Sequence, residues 1–201
     1  MVAIIDYGVG NLFSLLSSFK AIGADAVVTS DPEVIKKAER LVLPGVGAFE
    51  DAAKKLRSSG LDKLIIEQTN SGKPLLGICL GMQLLFDESH EYGIHQGLGL
   101  ISGKVVAMKG VLPENLKIPH IGWNALKFTK PSPIFKNISE GDCVYFVHSF
   151  YADNCDDALI ASAEYGIDIT AAVQKDNIFG CQFHPEKSGK VGLNILKAFC
   201  E

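Results

Sequence analysis

The stretch PLLGICLGMQ, residues 74–83, joins an apolar run to a Gly-x-Cys-x-Gly turn. The run Pro74–Cys79 predicts a buried strand, and Gly81–Asp87 predicts a helix behind it. Small residues two positions on either side of a nucleophile allow a tight strand-to-helix turn, which exposes the central side chain above the sheet edge. The stretch therefore predicts an α/β fold in which Cys79 stands at the end of a strand.

Apolar runs and helical patterns alternate on the N-terminal side of this stretch, as they do in βαβ units. The predicted strands are Val2–Ile5, Ala26–Thr29 and Leu41–Leu43, and the predicted helices are Asn11–Ile22, Pro32–Ala38, Phe49–Ser58 and Leu61–Asn70. Asp31 is the expected N-cap of the second helix. Because these strands are almost continuously apolar, they fit a parallel sheet that is covered on both faces.

From about Leu98 onward, short extended segments follow one another with turns between them. They are Lys104–Met108, Ala125–Phe128, Asp142–Phe150, Ala158–Tyr165 and Thr170–Gln174, followed by a last strand at Ile178–Phe183 and a closing helix at Gly189–Phe199. This order predicts antiparallel or mixed additions to the sheet. No linker, repeat or low-complexity tract interrupts residues 1–201, so a single domain is expected.

The composition narrows the classes of function. Hydrophobic residues make up 47% of the 201 residues and charged residues 21%, which is typical of a globular protein. The net charge of −4 argues against nucleic acid or an anionic membrane as a partner. Five cysteines without a CxxC pair argue against a disulfide framework and a tetrathiolate zinc site. The N-terminal residues lack a basic segment and a long apolar run, so a cytoplasmic location is expected.

Two interpretations of Cys79 remain open from its own stretch. If it is a nucleophile, the positive end of the following helix would favour its thiolate, and the Leu80 amide could point at an oxyanion. If it is structural, it is a small buried hydrophobe, as many free cysteines are. A base elsewhere in the chain has to decide between them.

The stretch FGCQFHPEK, residues 179–187, offers that base. Pro185 ends a strand just after His184, which places the histidine where open parallel sheets have their sites. Glu186 lies close enough to orient the imidazole, so a Cys-His-Glu triad is predicted. The alternatives are a structural histidine, or a metal site shared with Cys181. Strand alternation disfavours the metal site because it sends these two side chains to opposite faces.

A glycine-rich turn, Pro44-Gly45-Val46-Gly47, follows another predicted strand. Glycine lets the backbone approach a ligand closely and aim N–H groups inward. Val46 and Gly47 are therefore candidates for the second oxyanion amide, and an ordinary turn is the alternative.

A second turn, Gly8-Val9-Gly10, lies between the first strand and the first helix, as a dinucleotide fingerprint would. Phe13 occupies the third glycine position of that fingerprint, so the signal is weak. A turn that opens the helix at Asn11 explains the two glycines equally well.

Three separate motifs, Gly-Ile-Cys-Leu-Gly, Pro-Gly-Val-Gly and His-Pro-Glu, make the chain resemble the class I (triad) glutamine amidotransferases over nearly its whole length. The resemblance implies a doubly wound α/β fold, with a mostly parallel sheet between helices. It also implies that Cys79, His184 and Glu186 form the triad that hydrolyses the side-chain amide of glutamine. No metal or organic cofactor is implied.

Within the family, the chain resembles the glutaminase subunits of imidazole glycerol phosphate synthase. The resemblance rests on the residue ranges 6–12, 81–86, 119–124 and 145–149, which read DYGVGNL, GMQLLF, PHIGWN and YFVHS. It implies that glutamine is held by Gly45, Gly47, Gln83, His148, Ser149 and Phe150. It also implies that His120, Trp123, Tyr145 and Lys187 face a partner, a (βα)₈-barrel synthase subunit. Taken without the resemblance, Trp123 would be assigned to the core and Lys187 to the solvated surface.

The implied function is hydrolysis of L-glutamine and delivery of ammonia to the partner in a heterodimer. The partner would form imidazole glycerol phosphate and aminoimidazole carboxamide ribotide in histidine biosynthesis. Two alternatives remain from the sequence: a glutaminase for another synthase, such as pyridoxal phosphate synthase, and a dinucleotide-binding α/β protein.

Overall fold

The computed structural model describes residues 1–201. The N-terminal part alternates strands and helices as the sequence predicts. The strands are β1 (Val2–Ile5), β2 (Ala26–Thr29), β3 (Arg40–Gly45) and β4 (Leu75–Cys79), and the helices are α1 (Leu12–Ala21), α2 (Pro32–Lys37), α3 (Phe49–Ser58), α4 (Leu61–Asn70) and α5 (Leu80–Gln83). Asp31 caps α2, since its side chain accepts a hydrogen bond from the Glu33 amide.

The C-terminal part is mostly extended. Its strands are β5 (Phe86–Ser89), β6 (His95–Gln96), β7 (Ile101–Ala107), β8 (His120–Ala125), β9 (Lys127–Phe128), β10 (Cys143–His148), β11 (Phe150–Asp153), β12 (Leu159–Glu164), β13 (Asp168–Lys175) and β14 (Ile178–Cys181). Two 3₁₀ turns occupy Pro133–Phe135 and Pro185–Lys187, and the chain closes with α6 (Gly189–Cys200).

The main sheet has eight strands in the order β2-β1-β3-β4-β14-β13-β12-β9. The first five of these are parallel to their neighbours, and β13, β12 and β9 extend the sheet in antiparallel fashion. Sheets of this kind carry their sites at the carboxyl ends of the parallel strands. The ends of β3, β4 and β14 therefore meet at one edge, and they bring together the three motifs of the sequence.

Both faces of the sheet are covered by apolar side chains. Along β1, Ala3 and Ile5 belong to one buried cluster, whereas Val2 and Ile4 belong to the other. Phe183, just beyond β14, is completely buried and packs edge-on against Phe146 of β10. Burial of one large apolar side chain contributes about 1.5–3 kcal/mol, so this contact holds the segment before His184 against β10.

The predicted helix Gly81–Asp87 is wrong beyond its first turn. Helix α5 ends at Gln83, and Phe86 already begins strand β5. Leu84, Leu85 and Phe86 are all buried, and a short apolar run that is buried on every side does not distinguish helix from strand. One helical turn therefore follows Cys79, which weakens the helix-dipole argument for its thiolate.

The sequence suggested that the later strands extend the main sheet, but several of them do not join it. Strands β11, β7, β5 and β6 form a separate four-stranded sheet, and β10 pairs with β8 in a two-stranded one. Periodicity identifies strands but not their partners, because pairing is set by tertiary contacts.

Candidate active site

Cys79 stands on a strained turn between β4 and α5. Its φ of 55° lies in the left-handed region, which a residue with a Cβ adopts only when its surroundings enforce it. A Cβ added to Gly77 would meet the backbone of Gly81 and Met82 at 2.7–2.8 Å, and one added to Gly81 would overlap the Leu43 carbonyl. The two glycines are thus required for the turn. The Cys79 side chain is 8% exposed and lines a cavity.

His184 and Glu186 are joined by a hydrogen bond of 2.8 Å between Nδ1 and Oε1, and both side chains are buried. Burial lowers the pKa of the His184 imidazole. Hydrogen bonds and opposite charges from Cys79 and Glu186 outweigh that effect and raise the pKa to about 9. The three side chains therefore form one coupled group, in which His184 lies between the sulfur and the carboxylate.

Ser188 fixes the turn that carries His184. Its hydroxyl donates to the His184 carbonyl at 2.7 Å and accepts from the Tyr145 amide at 3.0 Å. The His184 amide in turn donates to the Tyr145 carbonyl at 2.9 Å. The turn that carries His184 is therefore attached to β10 through both backbone groups of Tyr145. The sequence analysis missed Ser188, because a single serine after a turn carries no recognisable pattern.

A cavity of about 410 Å³ opens at this edge of the sheet. Its lining includes these predicted site residues: Val46, Gly47, Cys79, Leu80, Gln83, His148, Ser149, Phe150, His184 and Lys187. The amides of Val46 and Gly47 have no hydrogen-bond acceptor within the chain. Two N–H donors without a partner in the chain therefore belong to residues that line the cavity together with Cys79, and they are candidates for an oxyanion hole.

Gly45 lies just behind this cavity and pairs with Cys79 in the sheet register. A Cβ at Gly45 would meet the Gly81 amide nitrogen at 2.8 Å and the Tyr7 hydroxyl at 2.9 Å, so only glycine fits. The Tyr7 hydroxyl donates to the Pro44 carbonyl at 2.7 Å. Burial, followed by the charge of Cys79, raises the pKa of Tyr7 above its usual range, so this donor stays protonated. It anchors the start of the Val46-Gly47 turn.

The sequence analysis also missed two residues of the cavity, Glu91 and Tyr92, which follow β5. One Glu91 oxygen accepts from the Phe49 amide, which ties this loop to the start of α3. The Tyr92 ring lies edge-on to Phe150 at 6.1 Å, although the residue is otherwise exposed. Neither follows a main-sheet strand, so the motif pattern gave no signal for them.

Comparison with known proteins decides the family. Residues 3–201 match the family described as glutamine amidotransferase class-I. Curated relatives described as imidazole glycerol phosphate synthase subunit HisH match over the full length. The relative from Caldanaerobacter subterraneus subsp. tengcongensis is 53% identical, covering 100% of this chain and 98% of its own. The one from Geobacillus sp. (strain WCH70) is 50% identical, covering 99% and 95%.

This chain is a class I glutamine amidotransferase.

The family resemblance found in the motifs is thereby confirmed. A solved structure described as a glutamine amidotransferase superposes on this amidotransferase with a TM-score of 0.78, covering 100% of both chains. At 18% sequence identity it supports the fold alone, and the predicted fold class is confirmed.

The amidotransferase exposes an apolar cluster beside the site. Trp123 of β8 is 57% exposed and lies edge-on to Tyr145 at 6.1 Å, and the Lys187 ammonium lies 5.8 Å from the centre of the Tyr145 ring. Ile121 is also largely exposed. This group (Ile121, Trp123, Tyr145 and Lys187) is called the aromatic face below.

His120 does not belong to the aromatic face, which corrects its predicted place at a partner surface. It is 2% exposed, stacks between the rings of Phe146 and Tyr165, and contacts His148 at 3.1 Å. Strand alternation explains this position, since Ile121 and Trp123 are exposed whereas His120 points inward.

The sequence analysis left two alternative sites open, a dinucleotide site at Gly8-Val9-Gly10 and a metal site, and the structure of the amidotransferase bears on both. Gly10 approaches Pro44 so closely that a Cβ would lie 3.2 Å from the proline ring, which accounts for a glycine there without a nucleotide. No group of three or more His, Cys, Asp or Glu side chains is arranged to hold a metal ion. None of the helices is both long and apolar enough to cross a membrane.

Proposed function

We propose that this amidotransferase is the glutaminase subunit of an imidazole glycerol phosphate synthase. It hydrolyses L-glutamine to glutamate and passes ammonia to a (βα)₈-barrel synthase subunit, with which it forms a heterodimer. The observation that carries the proposal is Cys79 on its strained turn, coupled to His184 and Glu186 in a cavity that Val46 and Gly47 also line. The HisH relatives indicate the synthase to which the reaction belongs.

The reaction begins with attack of the Cys79 thiolate on the side-chain amide carbon of glutamine. The oxyanion of the tetrahedral intermediate is held by N–H donors of Leu80 and the Val46-Gly47 turn. His184, protonated at neutral pH and oriented by Glu186, gives its proton to the departing ammonia, and a thioester remains. Water then attacks the thioester while His184 takes one of its protons, which releases glutamate and returns the sulfur. No metal or organic cofactor enters these steps.

The cavity is suited to an amino acid substrate. Ligand cavities of a few hundred Å³ hold small molecules, and this one has about 410 Å³. Glu91 offers a carboxylate oxygen that is suited to an α-ammonium group. Gln83, His148, Ser149 and Phe150 surround the remaining space, as their place in the lining indicates.

A partner is part of the proposal because ammonia has to leave the site unprotonated. In neutral water most of it becomes ammonium, which is not nucleophilic. The aromatic face offers an apolar contact surface of the composition that interfaces prefer. It adjoins the site through Tyr145, whose backbone holds His184. The partner barrel would therefore dock on the aromatic face and receive ammonia there.

The decisive experiment uses the complex with the synthase subunit. Cys79→Ala and Cys79→Ser are expected to abolish glutamine-dependent synthesis and to leave synthesis from added ammonium salt unchanged, because only the nucleophile is lost. Cys143→Ser, which alters an exposed cysteine, serves as the matched control and should keep both activities. Equal loss of both activities in the Cys79 variants would show that Cys79 is structural and the proposal wrong.

A further inference from the structure

A second side chain, in addition to His184, contacts the nucleophile. Gln182 follows β14 and is completely buried, and its Nε2 donates to the Cys79 sulfur at 3.9 Å. Its Oε1 accepts from the side-chain nitrogen of Gln83 at 3.0 Å. Gln83 uses its other N–H to donate to the Phe150 carbonyl at 3.2 Å. A chain of amide groups thus runs from the Phe150 backbone to the sulfur.

The direction of this chain is fixed by chemistry. A backbone carbonyl can only accept, so the end of Gln83 that faces Phe150 has to be its NH₂ group. The same NH₂ group faces Gln182, which therefore presents its oxygen to Gln83. The NH₂ group of Gln182 is left to face the sulfur. Rotating either amide by 180° would place two donors or two acceptors together in a buried site and leave both groups unpaired, which is unfavourable.

The Phe150 carbonyl also fixes a histidine pair on its other side. His148 contacts it through Nδ1 at 2.8 Å, so Nδ1 carries the proton. Burial lowers the pKa of the His148 imidazole to about 4, so the ring is neutral near pH 7 and its Nε2 is an acceptor. His120 therefore donates to it from Nδ1 at 3.1 Å. The Phe150 carbonyl therefore accepts from Gln83 on one side and from His148 on the other, which holds it in the position that orients Gln83.

We propose that Gln182 is a positioning residue of the glutaminase reaction. Its side-chain N–H donates to the Cys79 thiolate, stabilises the charged sulfur and keeps it aimed into the cavity. This rests on the proposed function, because an inert cysteine would need no donor. A hydrogen bond to a charged group is typically worth a factor of about 10 to 100 in an equilibrium or a rate.

The test compares two variants of Gln182 that lack the N–H donor. Gln182→Met keeps the length of the side chain, whereas Gln182→Glu keeps its shape and places a carboxylate beside the sulfur. In the complex with the synthase subunit, Gln182→Met should lower kcat for glutamine by about 10- to 100-fold, with KM changed much less. Synthesis from ammonium salt should be unchanged. Gln174→Met, on the neighbouring strand β13 and half-buried, is the matched control.

A second readout separates positioning from a merely structural role. The rate of Cys79 alkylation by a diazo-ketone analogue of glutamine is measured against pH. The acid limb of this rate profile should move to higher pH in Gln182→Met, because the thiolate has lost a donor. It should move further in Gln182→Glu, because a carboxylate then lies beside the sulfur. In the unmodified protein, the NMR signals of the Gln182 side-chain amide should shift over the same pH range, which tests the contact even if a variant fails to fold.

The outcomes distinguish the two proposals. If Cys79→Ser retains glutamine-dependent synthesis, the proposed function fails. If Cys79→Ser is inactive but the alkylation limb of folded Gln182 variants does not move, the function stands and the role of Gln182 is overturned. Gln182 amide signals that stay constant across the alkylation limb would overturn it as well.

Discussion

At the scale of single residues, the site depends on the charge balance around one imidazole. His184 is buried, which by itself disfavours its charged form, yet its pKa is raised to about 9 because Cys79 and Glu186 act on it. The second oxygen of Glu186, Oε2, is buried without a hydrogen-bond partner in the chain, so His184 is the main compensation for this carboxylate. The proton on His184 therefore depends directly on Glu186.

This dependence predicts the pH profile of Glu186→Gln. His184 has a folded-state pKa above its ordinary value of 6.5, so its proton is present below that value and is lost as pH rises through about 9. Removing the Glu186 charge lowers this pKa. The alkaline limb of kcat/KM for glutamine should therefore move to lower pH, and kcat should fall by about 10²–10⁴-fold.

The measurement is glutamate release by the complex between pH 6 and pH 10, which spans the His184 pKa of about 9. Glu88→Gln is a suitable control, since Glu88 makes a comparable contact of 2.7 Å with His90 at a more exposed position. An alkaline limb that stays at the wild-type pH in Glu186→Gln would contradict the assigned role of Glu186.

At the scale of elements, β10 connects His184 to the aromatic face. Its residue Tyr145 bonds to His184 and Ser188 through its backbone and contributes its ring to the aromatic face. The neighbouring strand β8 pairs with β10 in register, with Trp123 opposite Tyr145. A displacement of this two-stranded sheet would therefore move the turn that carries His184.

Ser188 joins the turn that carries His184 to β10 through its hydroxyl, and the variant Ser188→Ala tests this role. The substitution leaves the partly buried Tyr145 amide without its acceptor, and it removes one of the two donors to the His184 carbonyl, which keeps only the Lys187 amide. The free energy of unfolding should fall by about 1–3 kcal/mol. The kcat for glutamine should fall more than KM changes, because the imidazole is less well held.

Chemical denaturation and steady-state kinetics measure both effects. Ser58→Ala is the matched control, since that hydroxyl also donates to a backbone carbonyl, at 3.0 Å, but is exposed on α3. If Ser188→Ala has the same free energy of unfolding as the wild type, the hydroxyl does not stabilise the turn.

At the scale of the whole molecule, the partner should control the site. The Val46-Gly47 turn has free amides, and Gly47 has a φ of 91°, so its peptides are able to rotate between orientations. One correctly aimed oxyanion donor is worth about 10²–10³ in kcat. We expect the isolated chain to hydrolyse glutamine slowly, and the substrate-loaded synthase subunit to accelerate it by a factor of this order.

Trp123→Ala tests whether the aromatic face carries this effect. Loss of a central aromatic contact typically costs about 2 kcal/mol or more of binding free energy, so the Kd for the synthase subunit should rise at least about 30-fold. Alkylation of Cys79 in the isolated chain should not change, since Trp123 does not line the cavity. Ile94→Ala, at another exposed apolar residue outside the cavity, is the control. For the wild-type protein, an equal kcat in the isolated chain and in the complex with the substrate-loaded synthase subunit would refute the proposed activation.

The sequence by itself determined the alternating strands and helices of the first half, and it predicted Cys79 as the nucleophile and His184 as its base. These features depend on local patterns: apolar periodicity, glycines two positions from Cys79, and a proline after His184. The predicted helix at Gly81–Asp87 also relied on a local pattern. It was wrong because the buried run Leu84–Phe86 is equally compatible with a strand.

Only the tertiary structure decided which isolated polar side chains meet. Glu91, Gln182 and Ser188 are single residues without a periodic signal, and they act through contacts with segments about 40 to 100 positions away. The burial of His120 likewise depends on rings from β10 and from the turn after β12. Hydrogen bonds between distant segments form only when the sheet order has placed their strands together, and the local pattern of a strand does not specify its neighbours.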